Sequence, residues 1–291
     1  MKIGWIGTGV MGDPMAGHVQ KADHELFVFN RSKAKAEGLL QGGATWCGTP
    51  AEVASRGEIV FTMVGNPRDV EEVYLAGRGV FSARGPCRIV VDMSTSRPSL
   101  ARALAEKAGE LGMESLDAPV SGGDVGARNA TLAIMVGGRK ETFEEVLPLL
   151  ELMGKAISLM GGPGAGQHTK MCNQILVAGN MIGVCESLLY AAKVGLDQQT
   201  VIDVIGKGAA SSYLINHLGP RIVQGDYAPG FMVEHFIKDM GIALAEAEAV
   251  GLSLPGLALV KELYSAVKGQ GHGRDGHQIL YEVLKRFSGM K

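Results

Sequence analysis

The chain has 291 residues, 46% of them hydrophobic and 20% charged, so it is long enough for two cores and apolar enough for burial to offset the entropy of ordering. Its 28 basic and 30 acidic residues leave a formal net charge of −2, which argues against the basic patch or tail of a nucleic-acid-binding protein. The four cysteines (Cys47, Cys87, Cys172, Cys185) are scattered, with no CxxC pair and no histidine at ligand spacing, so neither a disulfide framework nor a metal site is expected.

Short apolar runs alternate with amphipathic ones through the first 160 residues or so. Strands are expected at 2–6, 25–30, 58–64, 88–93, 113–117 and 131–136, and helices at 32–41, 50–55, 67–75, 98–111 and 141–153. Apolar strands alternating with helices predict an α/β domain, a mostly parallel sheet covered on both faces. After Gly161-Gly162-Pro163-Gly164 the pattern becomes helical, at 167–194, 198–206, 213–223, 233–250, 255–268 and 276–287, with Gly195, Gly225, Pro229, Gly251 and Gly269-Gln270-Gly271 between them. Two domains are expected: 1–162, binding a nucleotide, and 163–291, all-helical and opening on a long interdomain helix. The uncharged stretch 171–185 is too short and, with Asn173, Gln174 and Asn180, too polar to be expected to cross a membrane. Met1–Gly7 run straight into a strand and a glycine turn. With no signal-type apolar region ahead of them, a cytoplasmic enzyme is expected.

Gly7-Thr8-Gly9-Val10-Met11-Gly12 matches GxGxxG after the first strand and before a helix. In that setting Gly7 makes the tight turn, Gly9 lets the backbone approach a pyrophosphate, and Gly12 lets helix pack on strand, with the helix N-terminus facing the phosphates. The second strand ends in Asn30-Arg31-Ser32, where an NAD site has an acid for the ribose 2′-hydroxyl. Asn30 does not repel a 2′-phosphate, Arg31 can pair with one bidentately and Ser32 adds a donor, so NADP(H) is expected over NAD(H). The competing reading is a solvated Arg31 and a site that takes either cofactor.

Ser121-Gly122-Gly123 follows a strand end, and two consecutive glycines can present successive N–H groups to a carboxylate; a plain tight turn is the alternative. Lys170 and Asn173 share a face at i, i+3 near the start of a helix with three formal charges in 167–194. Most helical lysines are solvated. This one heads an apolar helix at the interdomain joint, where partial burial favours its neutral form and suits it to give and take a proton.

Four blocks occur in order: Gly7–Gly12, Asp117-Ala118-Pro119-Val120-Ser121-Gly122-Gly123, Gly164-Ala165-Gly166-Gln167-His168-Thr169-Lys170-Met171-Cys172-Asn173, and Lys238-Asp239-Met240. In these the chain resembles, over nearly its whole length, the β-hydroxyacid dehydrogenases, the group containing 3-hydroxyisobutyrate dehydrogenase, tartronate semialdehyde reductase and glyoxylate/succinic semialdehyde reductase. The resemblance implies a Rossmann-type N-terminal domain, an all-helical C-terminal domain and a homodimer or homotetramer. It implies Lys170 as catalytic acid/base, Asn173 as a substrate-positioning partner, and Ser121, Gly122 and Gly123 as holding the carboxylate of a small aldehyde or alcohol substrate. Val64, Gly65 and Thr95 would lie near the nicotinamide, Lys238 would reach the cofactor, and Phe231 would wall the substrate pocket.

Two other functions compete with this one. An imine reductase would share the architecture, but that group generally lacks the lysine. A nucleotide-binding scaffold would need no proton donor. His272 and His277 are expected to be solvent-facing or structural, and Asp124 and Met232 to help shape substrate selectivity.

Overall fold

The structure, a computed structural model, describes residues 1–290 in two compact units, one from Met1 to Lys170 and one from Met171 onward. The first runs β1 (Lys2–Ile6), α1 (Gly12–Lys21), β2 (Glu25–Phe29), α2 (Glu37–Gln41), β3 (Thr45–Trp46), α3 (Pro50–Ala54), β4 (Ile59–Thr62), α4 (Pro67–Leu75), β5 (Ile89–Asp92), α5 (Pro98–Glu110), β6 (Glu114–Asp117), β7 (Val120–Ser121), α6 (Gly123–Arg128), β8 (Leu132–Gly137), α7 (Lys140–Leu150) and β9 (Gly154–Gly161). It ends in the first turns of α8 (Ala165–Lys193).

Among the described residues these strands form one nine-stranded sheet in the order β3-β2-β1-β4-β5-β6-β8-β7, with β9 added on β8. From β3 to β6 the pairs are parallel, while β8 runs antiparallel to β6 and β7. The apolar strands divide their side chains by period two. Ile3, Trp5, Ile59, Phe61, Ile89 and Val91 join one core with Met15, Ala16 and Val19 of α1. Their neighbours Ile6, Val60 and Val90 join the other, with Val70 and Tyr74 of α4 and Leu104 of α5. Both faces are therefore covered, which is why the strands read as unbroken apolar runs. The order reverses at β1, between β2 and β4, and at such a switch point a crevice opens beyond the carboxyl ends of the strands.

The strand pattern left three elements unread. β3 and β7 are two residues each, too short for a period to register. β9 is a mostly exposed edge strand whose pairing with β8, not an apolar run, makes it a strand.

The second unit continues α8 and adds α9 (Gln198–Ile205), α10 (Tyr213–His217), α11 (Gly219–Val223), α12 (Val233–Ala249), α13 (Pro255–Val267) and α14 (Leu280–Phe287). Its core gathers Met181, Cys185 and Leu188 of α8 with Phe236, Met240 and Tyr264. The expected helix 213–223 is two helices, because Pro220 lacks an amide and opens α11 instead of continuing α10. By length and apolarity alone, α8 matches a membrane-spanning helix, with 39% of its most apolar window buried. The uncharged stretch 171–185 is thus only part of a longer apolar helix.

His277 lies in this core, edge-on to Phe231 and Phe236 at 5.6 and 5.4 Å. Neither ring nitrogen has a hydrogen-bond partner among the described residues. Burial pushes its pKa down from the ordinary 6.5 to about 4; the nearby Phe231 backbone opposes the fall and Arg221 adds slightly to it. The unfolded chain therefore takes the proton first, and stability is lost as pH falls from 6.5 through 4, by about 3 kcal/mol for this difference. His277→Leu should flatten that acid limb, and urea midpoints at pH 7 and 4.5 read it. An unchanged pH dependence in the variant would mean that other groups drive acid unfolding.

Candidate active site

The glycine turn between β1 and α1 is built by close approach. Gly7 has φ +94°, and a Cβ on it would sit 2.1 Å from the Met63 carbonyl oxygen; a Cβ on Gly12 would sit 2.0 Å from that of Gly7. Trp5 Nε1 donates to the same Gly7 oxygen at 2.9 Å. Gly9 differs: a Cβ there would meet nothing within 4 Å among the described residues. Gly7 and Gly12 thus serve the chain's own packing, while Gly9 leaves open space in front of backbone. Asp13 N and Met15 N already donate to Gly9 O and Met11 O, at 3.0 and 3.3 Å, and Pro14 has no N–H, so the cradle that fits a pyrophosphate is the backbone of the turn itself, at the positive end of α1. Val10 is exposed and Met11 half-buried beside it.

At the end of β2, Asn30 Oδ1 accepts from the Thr8 amide at 3.3 Å and Asn30 Nδ2 donates to the Ser32 carbonyl at 2.9 Å. Asn30 therefore ties the glycine turn to β2. Arg31 is exposed and pairs with Asp69 at 3.0 Å, and Ser32 is exposed.

Further along the sheet edge, the loops after β4, β5 and β6 are linked by side chains. Val64 N donates to Ser94 Oγ at 2.9 Å, and Ser94 N to Asp92 Oδ1 at 3.0 Å. Gln167 is fully buried; its Nε2 donates to Ser94 O at 2.7 Å and its Oε1 accepts from Ser96 N at 2.9 Å, so one amide grips the peptides on both sides of Thr95. Asp117, at the end of β6, accepts from Gly164 N at 2.7 Å and Gln167 N at 2.8 Å, holding the start of α8. Burial raises its pKa, and those two amides oppose the rise. One turn on, Lys170 is buried and its Nζ donates to Val120 O at 2.8 Å. That carbonyl belongs to the residue before Ser121. Gly122 and Gly123 both have positive φ (+133° and +63°), and a Cβ on Gly123 would meet nothing within 4 Å among the described residues.

In the second unit, Asn173 Nδ2 donates to Gln174 Oε1 at 2.7 Å, and Gln174 Nε2 to Asp239 Oδ2 at 2.6 Å. Lys238 Nζ lies 3.1 Å from Asp239 Oδ1. Asn173 and Lys238, 65 residues apart in sequence, thus stand at the two ends of one polar chain. Phe231 is half-buried against Phe236 and His277.

Ser94, Asp117, Gln167, Gln174 and Asp239 have no role legible from local sequence. The available signal was polarity out of place: an acid ending an apolar strand, and glutamines in an apolar helix. Asp124 spends its carboxylate on Arg128 at 2.7 Å, four residues on in α6.

Residues 2–162 match the NAD binding domain of 6-phosphogluconate dehydrogenase, and residues 164–284 the NAD-binding domain of NADP-dependent 3-hydroxyisobutyrate dehydrogenase. An uncharacterized oxidoreductase of Bacillus subtilis (strain 168), YkwC, is 50% identical over 97% of this chain and 98% of its own. The 2-hydroxy-3-oxopropionate reductase of Escherichia coli (strain K12) is 40% identical over 100% of this chain and 99% of its own. Among solved structures, 3-hydroxyisobutyrate dehydrogenase of Mycobacterium tuberculosis with L-serine superposes with a TM-score of 0.86 at 30% identity, covering 98% of this chain and 99% of that one.

Gln167→Leu removes both bonds to the Ser94–Ser96 loop and leaves buried peptide groups unpaired. It should cost roughly 2 kcal/mol of stability at about 1–3 kcal/mol per orphaned group, less what relaxation recovers. Denaturant unfolding measures this, and a variant as stable as the parent would show that Gln167 is not holding the loop.

Proposed function

The chain belongs to the β-hydroxyacid dehydrogenase family, and from that membership we propose that it is an NADP(H)-dependent reductase of small aldehyde acids, with Lys170 as the proton-transfer residue. The observation that carries the reading is the position of the Lys170 ammonium, buried and 2.8 Å from the carbonyl that precedes Ser121-Gly122-Gly123. A proton donor on α8 thus meets the loop of a candidate carboxylate anchor that lies 50 residues earlier in the chain.

In this reading the Ser121 hydroxyl and the Gly122 and Gly123 amides hold the substrate carboxylate. Lys170 gives its proton to the aldehyde oxygen as that oxygen becomes an alkoxide, and Val120 O holds another of its N–H groups to aim it. In the oxidative direction the neutral amine takes the proton from the alcohol. When bound, the nicotinamide supplies the hydride to the carbonyl carbon or receives it in reverse. Gly7, Gly9, Val10, Met11 and Gly12 take the pyrophosphate, and Val64, Gly65 and Thr95 lie towards the nicotinamide. Asn173 steadies the substrate oxygen, Phe231 bounds the substrate and Lys238 serves the cofactor, as the resemblance implies. Glyoxylate, succinic semialdehyde, tartronate semialdehyde and 3-hydroxyisobutyrate are the substrates this chemistry fits. Retention of Lys170 favours this over imine reduction and over a binding scaffold.

The preference for NADP(H) rests on Asn30, Arg31 and Ser32. No carboxylate stands at position 30 to take the ribose hydroxyl, and Arg31 is exposed for a 2′-phosphate. The second unit supports assembly into a homodimer or homotetramer: Leu176, Tyr190 and Leu259 are exposed, and a groove lined by Ile175, Gly179 and Val260 runs between α8 and α13.

Lys170→Ala should lower kcat by roughly 10²- to 10⁴-fold with cofactor binding retained. NADPH consumption across that substrate panel measures it, and full turnover by the variant would remove Lys170 from the mechanism. NADPH should also bind more tightly than NADH, with Arg31→Ala shrinking the gap in a titration of both. A parent protein that prefers NADH would overturn the reading of Asn30 and Arg31.

A further inference from the structure

The ion pair between Arg31 and Asp69 joins two segments that the topology sets apart. Arg31 lies two residues past β2, and Asp69 lies in the first turn of α4, after β4. Those two strands flank β1 on opposite sides, so the pair links segments whose strands are about 10 Å apart. The Gly7–Gly12 turn leaves the sheet from the strand between them.

The partners are unequal. Arg31 has 77% of its side chain exposed and Asp69 only 12%. Asp69 is also held in place: its amide donates to Asn66 Oδ1 at 3.1 Å, and Asn66 Nδ2 donates to Asp69 Oδ2 at 2.7 Å. The carboxylate is fixed and the guanidinium comes to it. With its guanidinium mostly in water the pair contributes little to folding, and its place beside the glycine turn bears on what binds there.

We propose that Asp69 is a specificity-determining residue of the nucleotide site, lowering the preference for a ribose 2′-phosphate over a 2′-hydroxyl. The proposal rests on the reading that the glycine turn binds a dinucleotide with Arg31 at its ribose. Asp69 acts in two ways. It occupies one edge of the guanidinium, so a phosphate must share Arg31 or displace the carboxylate. It also places a negative charge beside a dianion, which is repulsive through the partly aqueous medium at a sheet edge. A ribose hydroxyl carries no charge and feels neither effect. Cofactor choice is then a balance between a cation that recruits the phosphate and a fixed anion that restrains it.

The test is calorimetric titration of the 291-residue protein with 2′,5′-ADP and with 5′-AMP, which differ by the 2′-phosphate. Four proteins are compared: parent, Asp69→Asn, Arg31→Ala and the double variant. Asparagine is isosteric and its amide oxygen can keep the Asn66 contact. Asp69→Asn should raise the ratio of affinities, 2′,5′-ADP over 5′-AMP, by roughly five- to tenfold, about one charge–charge interaction at intermediate dielectric. 5′-AMP binding should stay within about twofold, and the gain should be smaller in the Arg31→Ala background because part of it comes from the freed guanidinium. If the parent discriminates through Arg31 but Asp69→Asn leaves the ratio unchanged or lowers it, the proposal fails and the NADP(H) reading stands. If the parent shows no preference and Asp69→Asn creates one, the proposal holds and the NADP(H) preference does not. Binding of neither probe to any of the four proteins would overturn both.

Discussion

Two amides and one buried carboxylate decide where the first turn of α8 lies. Asp117 ends β6 with its side chain turned onto Gly164 N and Gln167 N, at 2.7 and 2.8 Å. A carboxylate at a helix N-terminus satisfies donors that the helix cannot, and it meets the positive end of the helix dipole. Those two bonds offset part of the cost of burying the charge, so the arrangement depends on the helix starting there. Lys170 follows one turn later, and its reach to Val120 O is a consequence of that start.

The same economy runs along the carboxyl edge of the sheet. Strand ends are natural places for loops that carry chemistry, but loops are mobile unless something ties them. Here the ties are single polar side chains: Asn30 between the glycine turn and the end of β2, Ser94 between the loops after β4 and β5, and Gln167 on both sides of Thr95. Each satisfies a backbone group that would otherwise be unpaired. A dipole held in place before a ligand arrives need not reorient as charge develops, and pre-ordered dipoles are the largest resource that enzymes of this kind draw on.

The second unit shows the two ways in which a helical core carries polar groups. From Asn173 through Gln174 to Asp239 the links are hydrogen bonds, Lys238 joins as an ion pair, and the chain holds together residues of two helices. His277, by contrast, is packed among rings with both nitrogens unpaired among the described residues, and it remains there as a neutral group. The first arrangement orders polar side chains, and the second makes the core sensitive to acid.

What the sequence determined by itself was whatever is set by near neighbours. The apolar period of the central strands, the strand–glycine–helix signature at Gly7–Gly12, the proline- and asparagine-marked start of α4, and the i, i+3 placement of Lys170 and Asn173 all depend on residues within a turn or two. The edge strand β9, the short pairings of β3 and β7 and the break at Pro220 were less legible, because there a partner strand or a single ring overrides a weak local pattern. The tertiary structure alone decided which polar groups meet: Asp117 with Gly164, Gln167 with Ser94, Gln174 with Asp239 and Arg31 with Asp69 lie 47, 73, 65 and 38 residues apart. No local propensity encodes such a pair. Each exists because the order of the strands and the packing of the helices bring two distant groups within a hydrogen bond, and burial leaves them no other partner or, for Arg31, because a fixed carboxylate offers the nearest one.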